Sequence, residues 1–286
     1  MCFLFFYVVK CFGYLNFILV IRMFPRSVWD FVRSFGERGF YEVRGWRFDF
    51  VGPRFRFRPS VSDITSICPS SRDVYLRKVR GLRGESSSMV FGRLVHEAFL
   101  YPFSFRGSLS DLPSRFRGYL RSFRVDDGTR RLLWGVFERA LELYATSRVD
   151  GISVSVEPLI PASAIGLSDY VRPDALVGFI PVEITTSGEL EKKELAITAY
   201  ALSIEAWIGH PIDYGVISHI SFNGDIRINW KVVNVDDSLR RKFLDVRDRV
   251  ARMIEYSEDP GIAANCPSSC PFRGICYGVT PSGSRI

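Results

Sequence analysis

The stretch RPDALVGFIPVEITT sets two carboxylates, Asp174 and Glu183, on either side of a glycine turn. Two adjacent strands joined by a tight turn bring such residues to one edge of a sheet, where hard oxygen ligands suit Mg²⁺ or Mn²⁺. That pair is the minimum for metal-assisted phosphodiester hydrolysis: the ion lowers the pKa of a bound water and neutralises charge developing on the phosphate. His96, far upstream, can add a nitrogen ligand and shift the preference towards Mn²⁺. A second constellation lies near the chain end, where NCPSSCPFRGICYG holds Cys266, Cys270 and Cys276 within one loop. The chain has six cysteines; with Cys2 and Cys11 of the apolar start set aside, Cys68 joins these three to make four. A chain with its own core does not need disulfide staples, so these cysteines read as ligands of a metal or a cluster.

The elements that must position these residues follow from apolar periodicity and turn chemistry. Ser62 is expected to cap a short helix that Pro69 ends just after Cys68, and SRDVYLRKV restarts as a helix. MVFGRLVHEAFL has a helical apolar face of Val90, Leu94, Val95 and Phe99, with His96 riding on it. A helical insertion at about residues 100–150 follows, and its best element places Leu133, Val136, Phe137, Ala140, Leu141 and Tyr144 at helical spacing. The pattern changes at Asp150. GISVSVEPLIP, YVRPDALVGF and IPVEITTS are expected to form a β-meander with Gly178 in its turn. Then come a helix over ELEKKELAITAYALSIEAWIG and a hairpin at Asn223-Gly224, where both residues tolerate positive φ. A last helix from Asp237 to about Tyr256 turns Leu239, Phe243, Val246, Val250 and Met253 inward, and Pro260 stops it.

Composition bounds the class. The 286 residues are 47% hydrophobic, enough to fill the core of one large domain or two small ones, which excludes a disordered chain. A formal net charge of +7 is compatible with an anionic partner such as nucleic acid. The absence of Gln suggests a thermophilic source, where heat makes amides a liability. Residues 1–22 are apolar enough for a membrane span, although Lys10, Gly13 and Asn16 interrupt it, and they lack the charged start and cleavage site of a secretory signal. The reading preferred here is that translation begins at Met23. That predicts a cytoplasmic protein with no stable membrane association.

Taken in order, SDITSICPSSRDVYLRKVRGL, FGRLVHEAF, VRPDALVGF with VEITTS, the helix bearing Tyr200, and CPSSCPFRGIC resemble RecB-type PD-(D/E)XK nucleases that carry an iron-sulfur cluster. Within that group the chain is most similar to the CRISPR-associated RecB-like exonucleases of the archaeal Csa-type subgroup. The resemblance implies an α/β PD-(D/E)XK core over residues 61–256, after a lead-in at 23–60, and an iron-sulfur lobe at 257–286. It implies that Cys68, Cys266, Cys270 and Cys276 ligate a 4Fe-4S cluster, which joins the two ends of the core. Zinc remains the competing occupant, since four thiolates suit it equally well. The metal ligands implied are His96, Asp174 and Glu183, with the Ile184 carbonyl as a further one. Two departures matter. Thr185 stands where the family has a catalytic lysine, and Ala196 stands where a glutamine precedes Tyr200 by one helical turn. Either Lys192 or Lys193 reaches back as a migrated lysine, or the chain is slow or inactive.

The function implied is metal-dependent trimming of DNA ends for CRISPR spacer acquisition, in antiviral defence, beside the CRISPR integrase complex. Single-stranded ends would meet phosphate contacts from Arg72, Arg77 and Lys78, helped by Arg80 and Arg83, and aromatic platforms at Tyr75 and Tyr200. Two other classes stay open: a catalytically inactive DNA-binding adaptor, and a membrane-anchored zinc-binding protein that takes the apolar start at face value.

Overall fold

The computed structural model describes residues 41–278. The apolar leader at 1–22 and the following residues to 40 lie outside them. Short helices come first: α1 (Phe48–Val51), α2 (Val61–Ile64) and α3 (Arg72–Lys78). The α2 start is a capping box, but Ser60 makes it rather than Ser62: the Ser60 hydroxyl accepts from the Asp63 amide and the Asp63 carboxylate accepts from the Ser60 amide. A carboxylate three residues after the serine is what completes that motif. The long α4 (Ser87–Ser104) starts on the Ser86 hydroxyl, and α5 (Leu112–Leu120) and α6 (Asp127–Val149) follow it. Val95, Ala98 and Phe99 of α4 meet Leu133, Val136, Phe137 and Ala140 of α6 in one apolar cluster.

The main sheet has the order β1 (Val154–Val156), β4 (Ala175–Val177), β5 (Ile180–Thr185), β6 (Tyr214–Ser221), β7 (Arg227–Asn234). Only β5 and β6 run parallel; the other pairs are antiparallel. A parallel neighbour demands a crossover, and α7 (Leu190–Ile208) supplies it. The expected meander is interrupted. Glu157 adopts φ 44°, ending β1, and the chain detours through a two-stranded ribbon of β2 (Ile160–Pro161) and β3 (Tyr170–Val171) before β4 joins the sheet. The expected hairpin is present with a longer loop: Ser221 pairs Arg227, residues 222–226 make the turn, and only Gly224 takes positive φ.

Alternation along β5 and β6 divides the interior. Val182, Ile184, Val216 and Ile220 face α4 and α6, whereas Ile217 of β6 and Val233 of β7 face α7. Because α7 is covered on all sides, Leu195 through Glu205 are buried without interruption. The last long helix, α8 (Asp237–Glu255), buries Phe243, Val250 and Met253 as expected, but also Arg240 and Arg247. Arg240 is anchored by Glu205, which receives both of its terminal nitrogens at 2.8 and 3.0 Å. Arg44 reaches the same carboxylate at 2.8 Å and the Gly45 amide at 2.7 Å, so the segment before α1 is strapped to the core. A side chain at Gly45 would lie 2.1 Å from the Leu202 carbonyl oxygen. α9 (Arg273–Tyr277) closes the described chain.

Candidate active site and cysteine lobe

The β4–β5 register pairs Ala175 with Val182, so one step further Asp174 stands opposite Glu183 on the α7 side of the sheet. The Ile184 amide donates to the Asp174 carboxylate at 2.6 Å and fixes its orientation. His96 comes from α4, its Nδ1 3.4 Å from the other Asp174 oxygen. Opposite them, Lys193 and Tyr200 lie two turns apart on one face of α7, a spacing that stacks them along the helix. Both reach Glu183: the Lys193 ammonium donates to one oxygen at 2.7 Å and the Tyr200 hydroxyl to the other at 3.2 Å. Three sequence-distant elements thus converge on a buried acid.

Charge states follow from these contacts. Burial and the adjacent Asp174 carboxylate raise the Glu183 carboxyl above the usual range, against the pull of Lys193 and His96. Burial lowers the His96 imidazole, but the Asp174 carboxylate outweighs it and the net shift is upward. Lys193 behaves likewise: burial is outweighed by Glu183 and Asp174, so it stays an ammonium. Tyr200, buried and facing two carboxylates, is raised well above an ordinary phenol and remains a donor.

The neighbouring expected residues are placed differently. The Lys192 ammonium sits a third of a turn away from Lys193 and bonds the Ile67 carbonyl at 2.7 Å and Glu189 at 2.9 Å, so it is not the lysine that faces Glu183. Thr185 is buried, and its hydroxyl accepts from the Ser187 amide at 3.0 Å. The donors fit a hard divalent cation by chemistry: two carboxylates, an imidazole and the Ile184 carbonyl. As placed, Glu183 spends both oxygens on Lys193 and Tyr200, and among the described residues no three His, Cys, Asp or Glu side chains converge closely enough to hold a metal ion.

His96 and Lys193 open onto a cleft of about 1260 Å³ whose lining also includes Ser66, Phe272, Tyr101 and Tyr119. The basic residues expected to serve DNA there are otherwise engaged. Arg72 pairs with Asp259 at 2.8 Å and donates to the Cys276 sulfur at 3.5 Å. Arg77 and Lys78 lie 3.7 and 3.4 Å from the buried Asp63. Tyr75 belongs to the core around α3, so it offers no platform, and Tyr200 is buried against Glu183. Arg80 and Arg83 are exposed.

The four cysteines of the described chain are free thiols. Cys266, Cys270 and Cys276 pack with Val74, Tyr75 and Leu76 of α3 and with Val250 and Met253 of α8. Cys68 joins the same lobe through Ser70, whose hydroxyl contacts its sulfur at 3.4 Å and donates to the Gly261 carbonyl at 3.0 Å. The Cys68 amide donates to Ser66, whose hydroxyl in turn donates to Asp73. Burial and the nearby Cys266 push the Cys270 thiol up to about 11. Four free thiols in one lobe fit a thiolate-held group by chemistry, although they are gathered here without forming a coordination sphere. Among the described residues no helix is long and apolar enough to cross a membrane.

Sequence reasoning missed the Tyr101–Tyr119–Glu97 corner of the cleft and the Glu205 clasp. The first had a signal in the alternation of arginine and aromatic residues from Arg115 to Arg124, the second none in local periodicity.

A family model described as CRISPR-associated exonuclease Csa1 matches residues 19–144 and 135–279. The CRISPR-associated exonuclease Csa1 of Saccharolobus solfataricus is 29% identical over 269 residues, spanning 82% of this chain and 91% of that protein. Its counterpart in Thermoproteus tenax is 27% identical over 259 residues, spanning 82% and 90%. Among solved structures, an alkaline exonuclease (LHK-Exo) from Laribacter hongkongensis superposes with a TM-score of 0.36 at 14% identity, over 74% of this chain and 92% of that one. At this TM-score the likeness is a coarse one.

Proposed function

The chain belongs to the family of CRISPR-associated exonuclease Csa1, and from that premise we propose that it is a metal-dependent DNA nuclease of PD-(D/E)XK type that trims ends for CRISPR spacer acquisition beside the integrase. The observation that carries the chemistry is the Lys193 ammonium 2.7 Å from Glu183, opposite Asp174. It supplies from α7 the positive charge that Thr185 lacks. His96, Asp174, Glu183 and the Ile184 carbonyl would hold Mn²⁺ or Mg²⁺, which when bound acidifies a water and neutralises phosphate charge. The protein's own groups do the rest. Asp174 is held by the Ile184 amide and Glu183 by Tyr200, so both carboxylates are kept in fixed orientations beside His96 and Lys193, which line the cleft. Lys193 remains protonated, and therefore acts as an electrostatic stabiliser of developing phosphate charge and not as a base. We assign Cys68, Cys266, Cys270 and Cys276 to a 4Fe-4S cluster that clamps the segment before α3 to the C-terminal segment.

A second reading, a DNA-binding adaptor of the integration complex, draws support from Glu183 having both oxygens occupied. End-labelled single-stranded DNA incubated with anaerobically purified protein and Mn²⁺ separates the two. Cleavage by the wild type that Glu183→Ala abolishes, with DNA binding retained, supports the nuclease; binding without cleavage by either protein supports the adaptor.

A further inference from the structure

The helical insertion carries a basic and aromatic surface that the chemistry above does not use. α5 buries Leu112, Phe116 and Leu120 at four-residue spacing, which leaves Arg115 and Tyr119 on one outward stripe and Arg117 and Arg121 on another. Arg106, Arg115, Arg121 and Arg124 are exposed, and among the described residues no carboxylate is paired with them. Arg117 lies over the Trp134 ring at 5.1 Å. Two acids at the start of α6 are already committed: Asp126 caps through Thr129, and Asp127 pairs with Arg130 at 2.5 Å.

Tyr119 is 37% exposed and stacks on Tyr101, with ring centroids 5.3 Å apart and planes 24° from parallel. Its hydroxyl donates at 2.8 Å to Glu97, the residue that follows His96, while the stacking on Tyr101 holds the ring. Both tyrosines line the cleft that also holds His96 and Lys193. From His96 to Tyr101 the helix advances about 7.5 Å, roughly the span of two stacked bases. Guanidinium groups draw a phosphate backbone, and an aromatic face accepts any unpaired base.

We propose that α5 with its flanking arginines is the landing arm for a single-stranded DNA end. Tyr119, backed by Tyr101, stacks a base near the end while the arginines carry the phosphates towards His96 and Lys193. The choice of DNA rests on the nuclease reading; the arm itself rests on the stacked tyrosines and the unpaired arginines.

The test is binding of a fluorescein-labelled single strand, with 2-aminopurine near its end, in the absence of divalent metal. Tyr119→Ala is expected to weaken binding about tenfold and to abolish 2-aminopurine quenching. Tyr119→Phe keeps the ring, loses only the Glu97 bond, and should retain both. Arg115→Ala and Arg121→Ala should each flatten the slope of log affinity against log salt by about 0.7. Circular dichroism melting controls for folding. Wild-type binding and quenching in Tyr119→Ala, or equal impairment of Tyr119→Phe, overturns the arm. Cleavage with Mn²⁺ on the same set distinguishes the two ideas. If the wild type cuts nothing yet the arm variants lose binding, the nuclease reading fails and the arm stands. If the wild type cuts in a Glu183-dependent way and the arm variants bind and cut like it, the arm fails and the nuclease reading stands.

Discussion

Lys192 and Lys193 are neighbours with opposite assignments, because 100° of helix rotation sends one to Glu183 and the other to the Ile67 carbonyl. Lys193→Ala should therefore lower the cleavage rate by roughly 10²- to 10³-fold, the usual cost of removing one preorganised electrostatic partner. Lys192→Ala should stay within a few-fold of wild type in the same single-turnover assay. If the two variants fall together, the migrated-lysine assignment is wrong. The raised His96 and Glu183 pKa values make a second prediction at this scale. A cation competes with protons at these groups, His96 foremost, so Mn²⁺ affinity should weaken as pH falls through the raised imidazole value, which lies above the ordinary one of about 6.5. Calorimetric titration at several pH values, in buffers of different ionisation enthalpy, reads the affinity and the proton release. The sign for stability is opposite. The His96–Asp174 contact gives the metal-free protein an increment that is fully present below the unfolded imidazole value and lost as pH rises through the raised one. His96→Gln should flatten that fall in the melting temperature.

α7 is the element on which the molecule turns, because it carries Lys193 and Tyr200 to the site and Glu205 to the strap. Glu205 is fully buried and accepts from Arg44, Arg240, and the Gly45 and Ile212 amides, so its removal strands a buried guanidinium. Glu205→Leu should lower unfolding free energy by about 3–5 kcal/mol in urea titration; a loss under about 1 kcal/mol would mean that the network relaxes or hydrates. The same elements show how legible the fold was. Helix spans on α4, α6 and α8 followed from three- and four-residue apolar spacing, whereas α7, covered on all sides, carries a long apolar run. The β1-to-β4 path was not legible, because GISVSVEPLIP and YVRPDALVGF alternate continuously while the positive φ of Glu157 breaks the first. Arg240 and Arg247 read as surface residues of α8 until their partners on distant segments are seen: Glu205 for one, the Val51 and Ile165 carbonyls for the other.

At the scale of the whole molecule, the cysteine lobe joins residues near the start of the described chain to its end, closing a loop around the sheet. Anaerobically purified protein is expected to contain iron and acid-labile sulfide. Cys68→Ser and Cys270→Ser should each lose most of the iron and lower the melting temperature, because either removes a thiolate from the clamp. Zinc without iron in the wild type would replace the cluster assignment. The sequence alone determined which residue types were available: two carboxylates flanking a glycine turn, a histidine on an apolar helix, and, beyond the apolar start, one cysteine upstream and three near the chain end. These are local properties, carried by spacing and turn chemistry. Only the tertiary structure decided their partners. It put Lys193 on Glu183 instead of Lys192, spent Arg72, Arg77 and Lys78 on buried or cysteine-lobe acids, and left Arg115 and Arg121 exposed on the helix whose Tyr119 lines the cleft. The physical reason is that a side chain's partner depends on crossover, register and helix rotation acting over long separations in the chain, and local periodicity carries no record of them.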